Sequence, residues 1–183
     1  KIDVVLFDKT GTLTEGKPKV TDIITYSKEN VLQIAASLET LSEHPLARAV
    51  VDKANEQKMH LLTSRGFHNV AGKGVKGTIG KSTIRVGNFS FLKDEGISLR
   101  SRRDIDNLES QAKTVIGVAK DKMLIGIIAI ADTLKADAQY AITELAAVGI
   151  ETMMITGDNQ KTAEAIAAQI GIKNIFAQVL PKD

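Results

Sequence analysis

The sequence predicts an α/β domain built on a parallel sheet and interrupted by an inserted α+β domain that contains an antiparallel sheet. Three observations predict it. A short Val- and Ile-rich run opens the chain and ends in Asp8. The middle alternates with period two between glycines, and the last third reads β-α-β-α-β.

Ile2 to Phe7 is apolar except for Asp3, the pattern of a parallel strand covered on both faces. Glu15–Gly16–Lys17–Pro18 is turn chemistry. Val31 to Leu41 has helical period, and a second helix is expected from Pro45, a residue suited to a first turn. From Leu61 to Asn88, glycines at 66, 72, 74, 77, 80 and 87 punctuate what reads as antiparallel hairpins. Lys93 to Glu109 reads as solvated helix and loop. Thr114–Ala119 and Met123–Ile130 form a hairpin about Asp121–Lys122. A helix is expected over Lys135–Val148 before Gly149, a strand over Ile150–Ile155, a helix over Asn159–Ile170 before Gly171, and a strand over Asn174–Phe176. The insert is placed at 23–128, within a host domain of 1–22 and 129–183. Lys1 leads straight into a strand and Asp183 stops in a loop, so a piece of a longer chain is expected.

Composition excludes several classes. The net charge of +2, with no basic run carrying interleaved aromatics, gives no footprint for nucleic acid. There is no cysteine, hence no disulfide and no thiolate metal site. No apolar run is long enough to span a bilayer. Residues 23–128 carry 16 basic and 11 acidic side chains and the remainder 8 and 11, a balance suited to a polyanionic ligand with a divalent cation.

Asp8 follows an apolar strand and opens DKTGTLT, at the strand end where open α/β sheets bind ligands. A carboxylate is ionised at neutral pH and needs no general base to act as a nucleophile; phosphorylated, it becomes a reactive acyl phosphate. The alternative is a turn-capping Asp. Thr156–Gly157–Asp158–Asn159 repeats the design between a strand and a helix, where free N–H groups favour phosphate. Its alternative is a plain N-cap by Asp158 or Asn159. GKGVKG at 72–77 fits a dinucleotide fingerprint literally, but a strand pattern rather than a helix follows it. Gly80–Lys81–Ser82 is no P-loop, because Val75 stands where the first glycine is needed.

DKTGTLT with TGDN resembles the phosphorylation domain of P-type ATPases, within the haloacid-dehalogenase-like superfamily. SEHPLA at 42–47, Gly72–Lys73–Gly74 and Gly87–Asn88 resemble the nucleotide domain of the heavy-metal-transporting (type-IB, CPx) subfamily. The resemblance implies Asp8 as phosphoryl acceptor, with Lys9, Thr10, Thr156 and Asp158 completing the catalytic set. It implies Mg2+ held by Asp8 and the Thr10 carbonyl, and ATP held by Glu39, His44, Gly72, Gly74, Gly87 and Asn88. For His44 the alternative is a helix-start histidine holding a capping bond. Asp132 and Lys135 occupy the place of a family D-x-x-R segment, with lysine for arginine, and can equally start a helix. The family's downstream G-D-G-x-N-D segment is absent, and Val179–Leu180–Pro181–Lys182–Asp183 stops one residue short of its V-x-P-x-x-K pattern. The resemblance thus implies ATP hydrolysis coupled to transport of copper or zinc-group ions in a membrane-bound parent. This piece is expected on the cytoplasmic side, monomeric, with transmembrane helices and an actuator domain as partners, and with little steady turnover alone. A soluble phosphatase of the superfamily commonly has a second Asp where Thr10 stands. A non-catalytic nucleotide-binding module is the third reading.

Overall fold

The computed structural model describes residues 2–98 and 102–179. Pro181 and Lys182 of the V-x-P-x-x-K pattern lie outside the described residues. In chain order the elements are β1 (Val4–Asp8), β2 (Lys19–Thr25), α1 (Val31–Glu39), α2 (Pro45–Glu56), β3 (Ser64–Val70), β4 (Gly74–Ile79), β5 (Ser82–Gly87), α3 (Phe89–Asp94), α4 (Arg102–Glu109), β6 (Thr114–Lys120), β7 (Met123–Ala131), α5 (Ala138–Ala147), β8 (Glu151–Ile155), α6 (Gln160–Ile170) and β9 (Asn174–Phe176). They form two compact units. One comprises Lys1–Pro18, Asp106–Thr114 and Ala131–Asp183; the other comprises Lys19–Ile105 and Val115–Ile130.

The first unit carries a parallel sheet in the order β1-β8-β9, with Asp8 paired to Ile155 at the carboxyl end. α6 is capped by Asn159, whose side chain accepts from the Thr162 N–H at 3.0 Å, and it ends at Gly171 in the left-handed region. α5 begins at Ala138, three residues later than its periodicity suggests. The Lys135 N–H is spent on the Leu13 carbonyl at 2.9 Å instead of opening the helix. Phe7, Met154, Ile142, Ala163, Ile166 and Ile170 share the core on one side of the sheet.

β1 is not covered on both faces, as its continuous apolar run suggests. Val4 is 46% exposed, Leu6 51% and Phe176 52%, whereas Met154 is sealed. The chain advances in one direction from β1 to β8 to β9, so right-handed crossovers put both helices on the same face. Among the described residues, the other face stays bare within this unit.

The second unit is a six-stranded sheet in the order β2-β7-β6-β5-β4-β3, antiparallel through β3, β4, β5 and β6. Every α1 residue but Gln33 is buried, because α1 packs on α2 on one side and on β4 and β5 on the other. Val31, Leu32, Val50, Ile84, Val86, Ile125 and Ile128 form its core. β2 is a strand that the sequence hides: in KVTDIIT, Asp22 and the adjacent Ile23 and Ile24 break the alternation.

The bare face gives a direct expectation for the 183-residue chain. Leu6→Ser should change stability by less than about 0.5 kcal/mol, whereas Met154→Ala should cost about 3 kcal/mol. Urea unfolding checks both, and an equal loss in the two variants would mean that Leu6 is covered.

Candidate functional site

Asp8 ends β1 exposed, and its carboxylate has no hydrogen bond or ion pair among the described residues. The chain then makes a five-residue loop, closed by the Thr14 N–H donating to the Lys9 carbonyl at 3.1 Å. Gly11 sits at φ 77, which is why that position takes glycine. Thr10 is exposed with extended backbone angles. A charged side chain that needs no internal partner, at the mouth of a rigid loop, is available to react.

The loop is held from below. Asp132 accepts from the Thr14 hydroxyl at 2.6 Å, from the Gly16 N–H at 3.1 Å and from the Lys17 N–H at 3.0 Å. Lys135 donates to the Gly11 carbonyl at 3.1 Å. The two residues that resembled a helix start are therefore a bracket for the Asp8 loop. Here lysine needs only one carbonyl, for which no bidentate fork is required.

Thr156 follows Ile155 and lies beside the Asp8 loop, because β1 and β8 pair in register. It is buried, and its hydroxyl accepts from the Asp158 N–H at 3.1 Å. Asp158 accepts from Lys9 Nζ at 2.7 Å, and both side chains are 10% exposed. Thr114 adds a third contact, its hydroxyl donating to Asp158 Oδ1 at 2.8 Å. The chain closes behind this loop: the Gln178 N–H donates to the Asp158 carbonyl and the Val179 N–H to that of Thr156, at 2.9 and 3.2 Å. Asp8, Lys9, Thr10, Thr156 and Asp158 thus converge at one end of the parallel sheet. Thr114 had no signal in the sequence, since an isolated Thr reports nothing about a partner over 40 residues away; Asp132 stood out only through the family D-x-x-R segment, which did not reveal its bonds to Thr14, Gly16 and Lys17.

In the second unit the other candidates fall into two groups. Gly74 and Gly87 face each other across β4 and β5. A Cβ on Gly74 would collide with the Val86 carbonyl and the Gly87 Cα, and one on Gly87 would collide with the Lys73 carbonyl. These glycines serve strand-to-strand approach first, and not only approach to a ligand. Asn88 caps α3 by accepting from the Phe91 N–H at 2.9 Å and donates to the Gly72 carbonyl at 3.1 Å. So Gly72, Gly74, Gly87 and Asn88 form one locked corner.

Glu39 and His44 flank the turn between α1 and α2. Glu39 is 7% exposed, and burial pushes its carboxyl up to about 7 despite a hydrogen bond from Ser42. His44 is exposed and caps α2, its Nδ1 accepting from the Leu46 N–H at 3.2 Å. Desolvation lowers its pKa, in keeping with a neutral ring whose Nε2 carries the proton. The capping bond and a free ring face coexist, because the bond uses only the edge of the imidazole.

Comparison with known proteins follows the same lines. The chain is 41% identical to a copper-exporting P-type ATPase of Staphylococcus epidermidis, a match that covers the whole of this chain and 23% of that protein. A crystal structure of a zinc-transporting PIB-type ATPase in the E2.Pi state is 35% identical, with a TM-score of 0.68, over all of this chain and 30% of that one. The catalytic domain of the CPx-ATPase CopB-B, solved for its conformational changes upon nucleotide binding, is 28% identical with a TM-score of 0.76, over all of this chain and 64% of that one. The sequence model for haloacid dehalogenase-like hydrolases matches residues 2–183. With the parallel sheet, the strand-end Asp8 and the Thr156 loop in place, the chain belongs to the haloacid dehalogenase-like hydrolases.

Proposed function

We propose that this chain is the ATP-binding and phosphorylation part of a heavy-metal-transporting P-type ATPase, moving copper or zinc-group ions, with Asp8 as the phosphoryl acceptor. The observation that carries the reading is the Asp8 carboxylate at a parallel strand end, with no partner among the described residues, beside the Lys9–Asp158 pair and the Thr156 loop. Residues 23–128 are read as the nucleotide domain, and 1–22 with 129–183 as the phosphorylation domain. The copper-exporting and zinc-transporting relatives, of which this chain matches only a part, support the cargo class and a membrane-bound parent with this piece on the cytoplasmic side. Among the described residues no helix is long and apolar enough to cross a membrane.

The chemistry follows from the residues. An Asp8 carboxylate oxygen attacks the γ-phosphorus of ATP, and the bond to the β-phosphate oxygen breaks. The electron pair leaves on ADP, and an acyl phosphate remains on Asp8. Thr156, at the head of its loop, would hold the transferring group, while Asp158 holds the Lys9 ammonium. The carboxylate of Asp8 and the carbonyl of Thr10, both exposed residues, are hard oxygen donors of the kind that suits Mg2+. When bound, Mg2+ would supply positive charge against the phosphate oxygens. In the insert, His44 offers a ring face to adenine, Glu39 an acceptor for its exocyclic amine, and Gly72, Gly74, Gly87 and Asn88 a fixed backbone corner for the rest of the nucleotide.

Three outcomes test this. In the full-length chain carrying these residues, Asp8→Asn should abolish the acid-stable phosphoenzyme formed from labelled ATP while nucleotide binding persists or tightens. Labelling that survives moves the acceptor elsewhere. His44→Asn keeps an N-cap acceptor but removes the ring, so the melting temperature should hold while ATP affinity falls by about 1–2 kcal/mol. Unchanged affinity by calorimetry would remove His44 from the adenine site. The ionised fraction of Glu39 rises with pH through about 7. If the carboxylate accepts from adenine, ATP affinity should therefore increase by up to about tenfold from pH 6 to 8 relative to Glu39→Gln, which has no such group to titrate. Parallel pH profiles in the parent and the variant would contradict it.

A further inference from the structure

Residues 106–114 lie inside the insert by sequence but belong to the first compact unit. Four side-chain bonds hold them to the Thr156 loop and the first turn of α6. The Thr114 hydroxyl donates to Asp158 Oδ1 at 2.8 Å, and Asn159 Nδ2 donates to Glu109 Oε1 at 2.8 Å. The Thr162 hydroxyl donates to the Lys113 carbonyl at 2.9 Å, and Lys161 pairs with Asp106. Three of the four seat the helix start. Only the bond from Thr114 reaches the carboxylate of the site itself.

That carboxylate has little freedom left. Its Oδ2 takes Lys9 Nζ at 2.7 Å and the Thr156 hydroxyl at 3.2 Å, and its Oδ1 takes Thr114. A carboxylate held on one oxygen can swing about its Cβ–Cγ bond; held on both, it cannot. Lys9 is covalently next to Asp8, so whatever fixes the Lys9 side chain also fixes the start of the Asp8 loop. Without the Thr114 hydroxyl, Asp158 can rotate, Lys9 loses its fixed anchor, and the loop that carries Asp8 and Thr10 loosens.

We infer that residues 106–114 are a strap that positions the phosphorylation site, with Thr114 as a positioning residue acting on Asp8 through Asp158 and Lys9. Thr114 does not touch the reacting atoms. Its effect should fall on phosphoryl transfer and not on nucleotide affinity, because these four bonds all end on the Thr156 loop and the first turn of α6. The inference rests on the proposed role of Asp8.

The test uses the full-length chain carrying these residues, with Thr114→Val and Thr114→Ser. Valine keeps the shape and removes the O–H; serine keeps the O–H. Rapid-quench phosphoenzyme formation at saturating ATP is compared with the ATP Kd and the melting temperature. Thr114→Val should slow phosphorylation about tenfold with the Kd unchanged, and Thr114→Ser should restore the rate. Phosphorylation of Thr114→Val at the parent rate would overturn the inference. So would a Thr114→Ser variant as slow as the valine one, which would make the contact mere packing. If the parent forms no phosphoenzyme that Asp8→Asn abolishes, the underlying assignment of Asp8 fails, and that failure is visible separately.

Discussion

The ion pair between Lys9 and Asp158 joins the two loops on which the site depends. The loops come from sequence positions about 150 residues apart, and parallel pairing of β1 with β8 brings only their backbones together. A pair whose side chains are each 10% exposed gives up most of its hydration. It persists because each partner is well matched: Lys9 reaches Asp158 at 2.7 Å, and Asp158 takes two hydroxyls besides. Removing one partner would leave a nearly buried charge alone, typically a loss of about 3–5 kcal/mol. Among the described residues, the same geometry leaves Asp8 as the one acid of the cluster with no internal partner. Order is concentrated in its neighbours, and its own carboxylate remains free for chemistry.

A second layer of contacts makes this arrangement rigid. Asp132 and Lys135 grip the Asp8 loop by its backbone, and residues 106–114 grip the Thr156 loop by its side chains. Both supports come from the stretches where the chain leaves and re-enters the host unit around the insert. In the insert, Asn88 and the facing Gly74 and Gly87 lock a backbone corner in the same way.

Local patterns carried much of this into the sequence. Helix α6 was legible because Asn159 and Gly171 bracket its apolar period, and the glycine-punctuated hairpins because their turns need glycine. DKTGTLT and TGDN stood out because each follows an apolar strand. What stayed hidden depends on tertiary context. The bare face of β1 follows from the direction of the crossovers, which no run of residues encodes. The late start of α5 follows from a hydrogen bond to Leu13, and the roles of Thr114 and Asp132 follow from partners distant in sequence. β2 was missed because its alternation is broken at Asp22. Glu39 was legible as a candidate, but not its raised pKa, which comes from burial at the end of α1.

The central claim is that Asp8 becomes an acyl phosphate. Borohydride reduces an acyl phosphate to the alcohol, so trapping the full-length chain with tritiated borohydride after ATP and Mg2+ should convert residue 8, and no other, to homoserine. Peptide mapping that finds tritium at position 8 only when ATP is present is the result this account predicts. Tritium at another aspartate or glutamate, or ATP-dependent turnover with no reducible intermediate, would contradict it.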